Sequence, residues 1–386
     1  MIHRIINPLK SNSFFIFGPR GTGKTTFLKN FFTRGECYWI NLLDPATEEK
    51  YARNPATLTH EIEGLRNTDW VVIDEVQKIP KLLDLIHHHI ENSGIKFALT
   101  GSSARKLKRG SANLLAGRAF VNHLFPLTHI ELKDQFQLDD HLQWGALPKV
   151  VQLASAEEKN EFLRAYALTY LKEEVWAEHM IRQMDPFRKF LEIAAQANGQ
   201  ILNYSNIAVD VGVDTKTIQS YFGILEDTLI GTLLEPFHYS VRKRQRKNPK
   251  FYFFDLGLKR ALERNLTQQL TPGSYPYGLA FEHFVILEAF RLNEYYRNDF
   301  RFSYLRTKDD AEIDLIIERP GMPIALVEIK STDQTDERDV RILERFGKAF
   351  KQVESFCLSR DPRPKKIGSV ALLPWESGLQ EIGLKQ

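Results

Sequence analysis

Through residue 124 the chain alternates between short solid apolar runs and stretches in which apolar residues recur at helical spacing. The solid runs are Ser13–Phe17, Cys37–Leu42, Trp70–Ile73, Ile95–Leu99 and Ala119–Leu124; Pro55–Leu65 and Pro80–Asn92 carry the helical period. A run with no polar alternation is buried on both faces, so these five predict a five-stranded parallel sheet covered by helices. From Glu157 to Asn198 the pattern is helical and amphipathic, with Phe162, Tyr166, Tyr170 and Leu171 on one face. Asn203–Thr215 then reads as a short helix capped by Ser205, a turn at Gly212 and a second helix capped by Asp214. Thr232–Tyr239 and Lys250–Phe254 can pair as a hairpin beyond it. The last third offers a helix at Leu279–Leu292 and strands at Phe302–Arg306, Glu312–Ile317 and Ile324–Lys330. The expected order is an α/β core at 1–135, a helical lid at 136–200, a winged helix-turn-helix at 201–258 and a second α/β module at 259–386.

Composition narrows this only a little. With 386 residues, 43% hydrophobic and 26% charged, the chain can build several cores and is not a disordered one. A net charge of +3 is too small to argue for a nucleic-acid partner, so any such case must come from local clusters. Two cysteines, Cys37 and Cys357, do not make a disulfide framework. No apolar run approaches the roughly 18 residues of a membrane span, and Met1–Lys10 lacks a signal-peptide core. The expectation is a cytoplasmic protein with no membrane partner.

The first strand runs into Gly18-Pro19-Arg20-Gly21-Thr22-Gly23-Lys24-Thr25 and then the helical Thr26–Phe32. Strand, glycine-rich loop and helix in that order form a phosphate cradle, or P-loop. Glycines let main-chain N–H groups turn inward, Lys24 places a cation on the β- and γ-oxygens of ATP, and the Thr25 hydroxyl can bind Mg²⁺. The third run ends Val71-Val72-Ile73-Asp74-Glu75. Asp74 leaves the strand tip where Mg²⁺ would sit beside Thr25, and Glu75 can act as general base on a water facing the γ-phosphate. The fourth run ends Leu99-Thr100-Gly101-Ser102-Ser103, and Thr100 is expected to touch that phosphate or water. His87, His88 and His89 are adjacent on a helix and point about 100° apart, which does not suit a metal.

These residues resemble an AAA+ ATPase. The resemblance implies that the fifth strand lies beside the P-loop strand and that Arg118, in Leu114-Leu115-Ala116-Gly117-Arg118, is a finger reaching a neighbouring subunit's nucleotide. A homo-oligomer, such as a hexameric ring, follows from that role. A nucleotide-sensing arginine in the lid is also implied, but nothing distinguishes Arg164 from Arg182.

The second helix of the helix-turn-helix offers Lys216, Thr217, Gln219, Ser220 and Tyr221 for phosphate or base-edge contacts. The tip of the hairpin carries Arg242, Lys243, Arg244, Arg246 and Lys247, five cations in six residues, which would neutralise phosphates on duplex or branched DNA. Packing between subunits is the competing use of such a motif.

In the C-terminal module, side-chain alternation puts Glu328 and Lys330 on one face of a strand, with Asp314 on the partner strand able to join them. Two carboxylates that can share a divalent cation, with a lysine beside them, suit metal-assisted phosphodiester cleavage. The set resembles the PD-(D/E)xK nuclease superfamily, a restriction-endonuclease-like fold, with Asp314 and Glu328 as metal ligands, Lys330 completing the motif and Glu282 as an extra acid from the first helix. Mg²⁺ is the expected ion there, with Mn²⁺ as its substitute. The whole chain resembles a group of prokaryotic AAA+ ATPases with a P-loop domain, a winged helix and a C-terminal domain of unknown function. The expectation is an ATPase that remodels or processes DNA; the alternative is a nucleotide-dependent signalling or defence switch whose C-terminal domain binds a protein or RNA.

Overall fold

The computed structural model describes residues 2–33, 35–65, 69–102, 115, 117–170, 184–238, 248–307, 309 and 311–384. The first module is built on strands β1 (Ser13–Phe17), β2 (Cys37–Asn41), β3 (Trp70–Asp74), β4 (Lys96–Gly101) and β5 (Ala119–His123), all parallel, in the order β2-β3-β4-β1-β5. Successive side chains leave a strand on opposite faces. Phe15, Phe17, Val71, Ile73, Phe97 and Leu99 therefore pack under the helices Thr57–Glu63 and Leu82–Asn92, while Phe14, Ile16, Val72 and Ala98 pack under the helix Lys24–Phe31. The five apolar runs are thus the five strands, and the expected helices start within two residues of the observed ones.

The middle of the chain is helical, with Ala156–Ala165, Met184–Gln196, Tyr204–Val211 and Thr215–Asp227 sharing one core. Gly212 ends the third of these at φ 84°, and the Asp214 carboxylate accepts from Thr217 N to start the fourth. A ribbon of β6 (Gly231–Leu234) and β7 (Lys250–Phe253) follows, antiparallel, with Ile201 bridged to Lys250. The expected strand Thr232–Tyr239 does not run its full length in this ribbon. After Leu234 the chain turns to the C-terminal sheet, where Glu235 and Phe237 hydrogen-bond through their main chain to Tyr304. Pro236 lacks the N–H a ribbon strand would need, which fixes the break there.

The C-terminal module holds a six-stranded sheet of β8 (Arg301–Arg306), β9 (Glu312–Glu318), β10 (Ile324–Lys330), β11 (Val353–Ser359), β12 (Lys365–Ile367) and β13 (Val370–Pro374), ordered β12-β13-β11-β10-β9-β8. The long helix Tyr275–Tyr296 covers one face through Phe281, Phe284 and Val285, and Glu337–Gly347 covers the other through Val340 and Leu343. The long helix is also the joint to the first module. Its Glu288 is fully buried and takes both His129 and Arg291, its Glu294 takes His123 from β5 at 2.6 Å, and Arg297 donates to Asn122 at 2.9 Å. Among the described residues no helix is long and apolar enough to cross a membrane.

Candidate functional site

The P-loop closes over the end of β1. A Cβ on Gly18 would stand 2.2 Å from the Leu124 carbonyl oxygen, and Gly21 and Gly23 take φ of 78° and 91°, so all three positions require the missing side chain. Lys24 is buried; its ammonium donates to the carbonyls of Gly18 at 2.8 Å and Pro19 at 3.2 Å and stands 4.0 Å from the Glu75 carboxylate. At the tip of β3, Thr25 Oγ1 donates to Asp74 Oδ2 at 2.6 Å. These two groups can share a hard cation, and oxygen donors of this kind suit Mg²⁺.

Thr100 lies directly behind the Asp74-Glu75 pair. It is fully buried in β4, its hydroxyl donates to the other Asp74 oxygen and accepts from Glu75 N at 2.9 Å. Thr100 therefore aims the Asp74-Glu75 pair. Glu75 sits at φ 62°, uncommon for a residue with a side chain, and its carboxylate accepts from Gln77 Nε2, which also reaches Ser102 Oγ at 3.1 Å. Strain of this kind costs on the order of 1–3 kcal/mol and survives where surrounding bonds hold it.

A cavity of about 1040 Å³ opens at this loop. Arg20 to Thr26 and Glu75 line it together with the apolar Ile5, Ile6, Phe27, Leu127 and Pro148. Volume and lining suit a nucleoside triphosphate, its phosphates on the loop and its base among the apolar groups. The sequence reading missed the segment Ile2–Asn7, which lines this cavity although it precedes the first strand. Arg4 fixes that segment, donating to Glu131 at 2.7 Å, to the Thr22 carbonyl at 2.8 Å and to the Tyr295 hydroxyl at 3.0 Å. A bound Mg²⁺ and triphosphate thus fit the residues present.

Arg118 lies just before β5, half-exposed, and pairs with Glu91. Ser13 pairs with Ala119, so Arg118 is at the start of the sheet while the P-loop follows its far end at Phe17. Five residues of strand, roughly 16 Å, separate Arg118 from the P-loop of its own chain. Arg164 pairs with Glu161 and does not line the nucleotide cavity, and Arg182 lies outside the described residues. Of the adjacent histidines, His89 is buried against Thr59 while His87 and His88 stay at the surface.

In the middle module Lys216, Gln219 and Ser220 are exposed on the outer face of their helix, and the Thr217 hydroxyl donates to the capping Asp214 carboxylate at 2.6 Å. Tyr221 is a correction: it is buried against Phe187 and Phe190, because it falls on the stripe with Ile218, Phe222 and Leu225 that packs into the core. Arg242, Lys243, Arg244, Arg246 and Lys247 lie outside the described residues.

The C-terminal set does come together. Continuing the β9–β10 register, in which Val327 faces Leu315, brings Asp314 opposite Glu328. Asp314 Oδ2 accepts from Ile329 N at 2.8 Å, and Lys330 Nζ donates to Glu328 Oε1 at 2.6 Å. Glu282 faces them from the long helix and accepts from the Tyr252 hydroxyl at 2.8 Å. Burial and then the charge of Asp314 push the Glu282 carboxyl up to about 7 and the Glu328 carboxyl up to about 8; Asp314 is raised by burial too. Glu328 Oε2 is buried with no hydrogen-bond partner among the described residues. Among the described residues no group of three or more His, Cys, Asp or Glu side chains stands in ready-made metal geometry. The carboxylate pair of Asp314 and Glu328, one oxygen of it unpartnered, has the donor chemistry for a divalent ion.

Three stretches of the chain match known families. Residues 10–133 match the family described as an AAA domain, which supports a nucleotide-binding ATPase of the AAA+ type for the first module. Residues 135–269 match one domain of unknown function, DUF8612, and residues 277–377 another, DUF4143. The chain is 27% identical over 325 residues to the uncharacterized protein Rv2008c of Mycobacterium tuberculosis, covering 82% of this chain and 69% of that one. It is 21% identical over 370 residues to the uncharacterized protein MJ1544 of Methanocaldococcus jannaschii, covering 87% and 79%. Among solved structures, AMPPCP-bound DnaA from Aquifex aeolicus is 16% identical, with 56% of this chain and 81% of that chain covered and a TM-score of 0.27, a likeness too slight to carry weight.

Proposed function

We propose that this chain is an AAA+ ATPase that binds and hydrolyses ATP with Mg²⁺ and couples that cycle to DNA, through a winged-helix middle module and a nuclease-like C-terminal module. The observation that carries the ATPase reading is the hydrogen-bonded relay Thr25–Asp74–Thr100–Glu75 N at the mouth of a nucleotide-sized cavity. Each member has a task. Lys24 and the inward amides hold the β- and γ-phosphates, and Thr25 with Asp74 holds the ion. A bound Mg²⁺ would supply neutralising positive charge to the β- and γ-phosphates. Thr100 keeps Asp74 and Glu75 in register, so that Glu75 can take the proton of a water attacking the γ-phosphorus. Arg118, a strand's length from its own loop, is proposed to complete the site of a neighbouring copy, which makes an oligomer the working form.

DNA engagement is supported by the exposed Lys216, Gln219 and Ser220 on the outer face of the second helix of the helix-turn-helix. Asp314, Glu328 and Lys330, with Glu282 above them, support metal-dependent binding or cleavage of phosphodiesters at the other end of the molecule. The test is ATP turnover and strand cleavage measured together on linear, forked and four-way DNA. Wild type should turn over ATP faster with at least one DNA, Lys24→Ala should abolish turnover, and Glu75→Gln should bind ATP and stall. Turnover unchanged in both variants would remove the ATPase assignment, and turnover indifferent to every DNA would remove the DNA coupling.

A further inference from the structure

The C-terminal carboxylates are not served by their own module alone. Lys250 is the first residue of β7 in the middle module, yet its ammonium is buried among them: Nζ lies 3.6 Å from Glu282 Oε1, pairs with Glu312 and sits 5.5 Å over the Tyr304 ring. Two residues along the same strand face, Tyr252 donates to Glu282. Burial works against the ammonium's charge, but the carboxylates of Glu282, Asp314 and Glu312 outweigh it and hold the lysine protonated. On the far side of the cluster Lys330 is bound to Glu328, whose second oxygen is the buried, unpartnered one. Acids crowded out of water need compensating positive charge. Here part of it is a lysine that the neighbouring module inserts.

A divalent ion held by these acids and the Lys250 ammonium would repel each other, since both answer the same negative charge. We propose that Lys250 is the resident counter-cation of the C-terminal carboxylate site, and that it competes with a divalent ion for Glu282 and Asp314. The middle module therefore sets how tightly the C-terminal site takes its metal, and the site spans two modules. This rests on reading those carboxylates as a cation site.

The experiment is a Mn²⁺ titration of the nucleotide-free full-length chain, followed by the loss of the free-ion electron paramagnetic resonance signal, alongside thermal melts in EDTA and in Mn²⁺. Wild type, Lys250→Met and Lys250→Gln are compared, each with and without Asp314→Asn. The expected result is Mn²⁺ bound at least tenfold more tightly by both lysine variants, a gain that Asp314→Asn removes. Their melting temperatures should fall in EDTA and recover in Mn²⁺ by more than wild type gains. Affinity equal to or below that of wild type, or a gain that survives Asp314→Asn, would overturn the proposal. So would failure of both variants to fold with and without Mn²⁺, since the ion is meant to replace the ammonium. Binding that never depends on Asp314 sinks the cation-site reading itself, whereas Asp314-dependent binding of equal strength in wild type and variants sinks only the role of Lys250.

Discussion

The Tyr166 hydroxyl donates to the Arg20 carbonyl at 2.8 Å, tying the helical segment that follows Ser155 to the phosphate loop. The ring also passes 3.5 Å from where a Cβ on Gly21 would stand, so it touches the part of the loop that must keep a positive φ. Tyr166→Phe keeps the ring and removes one hydrogen bond, worth about 1 kcal/mol net. The loop is then less well preorganised, and the ATP dissociation constant should rise about fivefold. A fluorescent-nucleotide titration checks this; unchanged affinity would show that the lid contact does nothing for the nucleotide.

Much of the first module was legible because its signals are local. Five apolar runs gave five strands, and the loop from Gly18 to Thr25 needs no partner from elsewhere to be recognised. Asp314, Glu328 and Lys330 were also readable, since strand alternation alone places two of them on one face. Contacts that cross the chain left no such trace. Arg4 meets Thr22, Glu131 and Tyr295, and Lys250 meets Glu282 and Glu312, over separations that carry no periodic signal. Tyr221 was misjudged for the opposite reason: the local pattern of Ile218, Tyr221, Phe222 and Leu225 was there, but the helix was read for its polar face.

Arg118 offers a test of assembly. Its distance from its own P-loop means that Arg118→Ala leaves an intact phosphate cradle with no finger, while Lys24→Ala leaves a finger with no working cradle. Each protein alone should hydrolyse ATP at least about 10³-fold more slowly than wild type. Mixed in equal amounts they should recover a measurable fraction of wild-type turnover, because an oligomer assembled as proposed would then contain interfaces with both parts whole. A mixture as inactive as its components would deny Arg118 a role in trans.

His141 makes stability depend on pH. Its ring is buried against Phe136 and Phe284, Nε2 has no hydrogen-bond partner among the described residues, and burial pulls the imidazole down from 6.5 to about 4, only partly offset by Glu288. The folded state therefore refuses a proton that the unfolded chain accepts. Above pH 6.5 both states are neutral and nothing is lost; as pH falls from 6.5 towards 4 stability declines, by at most about 3 kcal/mol. The drop in melting temperature between pH 7.5 and pH 5 should be smaller in His141→Phe, which keeps the aromatic packing without the titration. An identical drop in both proteins would assign the acid sensitivity to other groups.

Arg4 links the loop at the candidate nucleotide cavity to the long helix of the C-terminal module. Its guanidinium joins the Thr22 and Phe125 carbonyls, the Glu131 carboxylate and the Tyr295 hydroxyl near the end of the long helix that carries Glu282. Glu131 is buried and also caps the helix His129–Leu132 by accepting from Thr128 N. Arg4→Met strands that carboxylate in the interior, which costs roughly 3–5 kcal/mol. Arg4→Met combined with Glu131→Gln removes the charge at both ends, so the double variant should be more stable than Arg4→Met alone, a non-additivity of the kind expected for a contacting pair. Calorimetry resolves it: the unfolding transition that shifts upward on adding ATP reports the first module. Both variants should bind ATP more weakly than Tyr166→Phe, because the Thr22 carbonyl loses its anchor in each. Additive losses in the double variant would mean that Arg4 and Glu131 act separately and that the guanidinium is held in place by its carbonyl contacts alone.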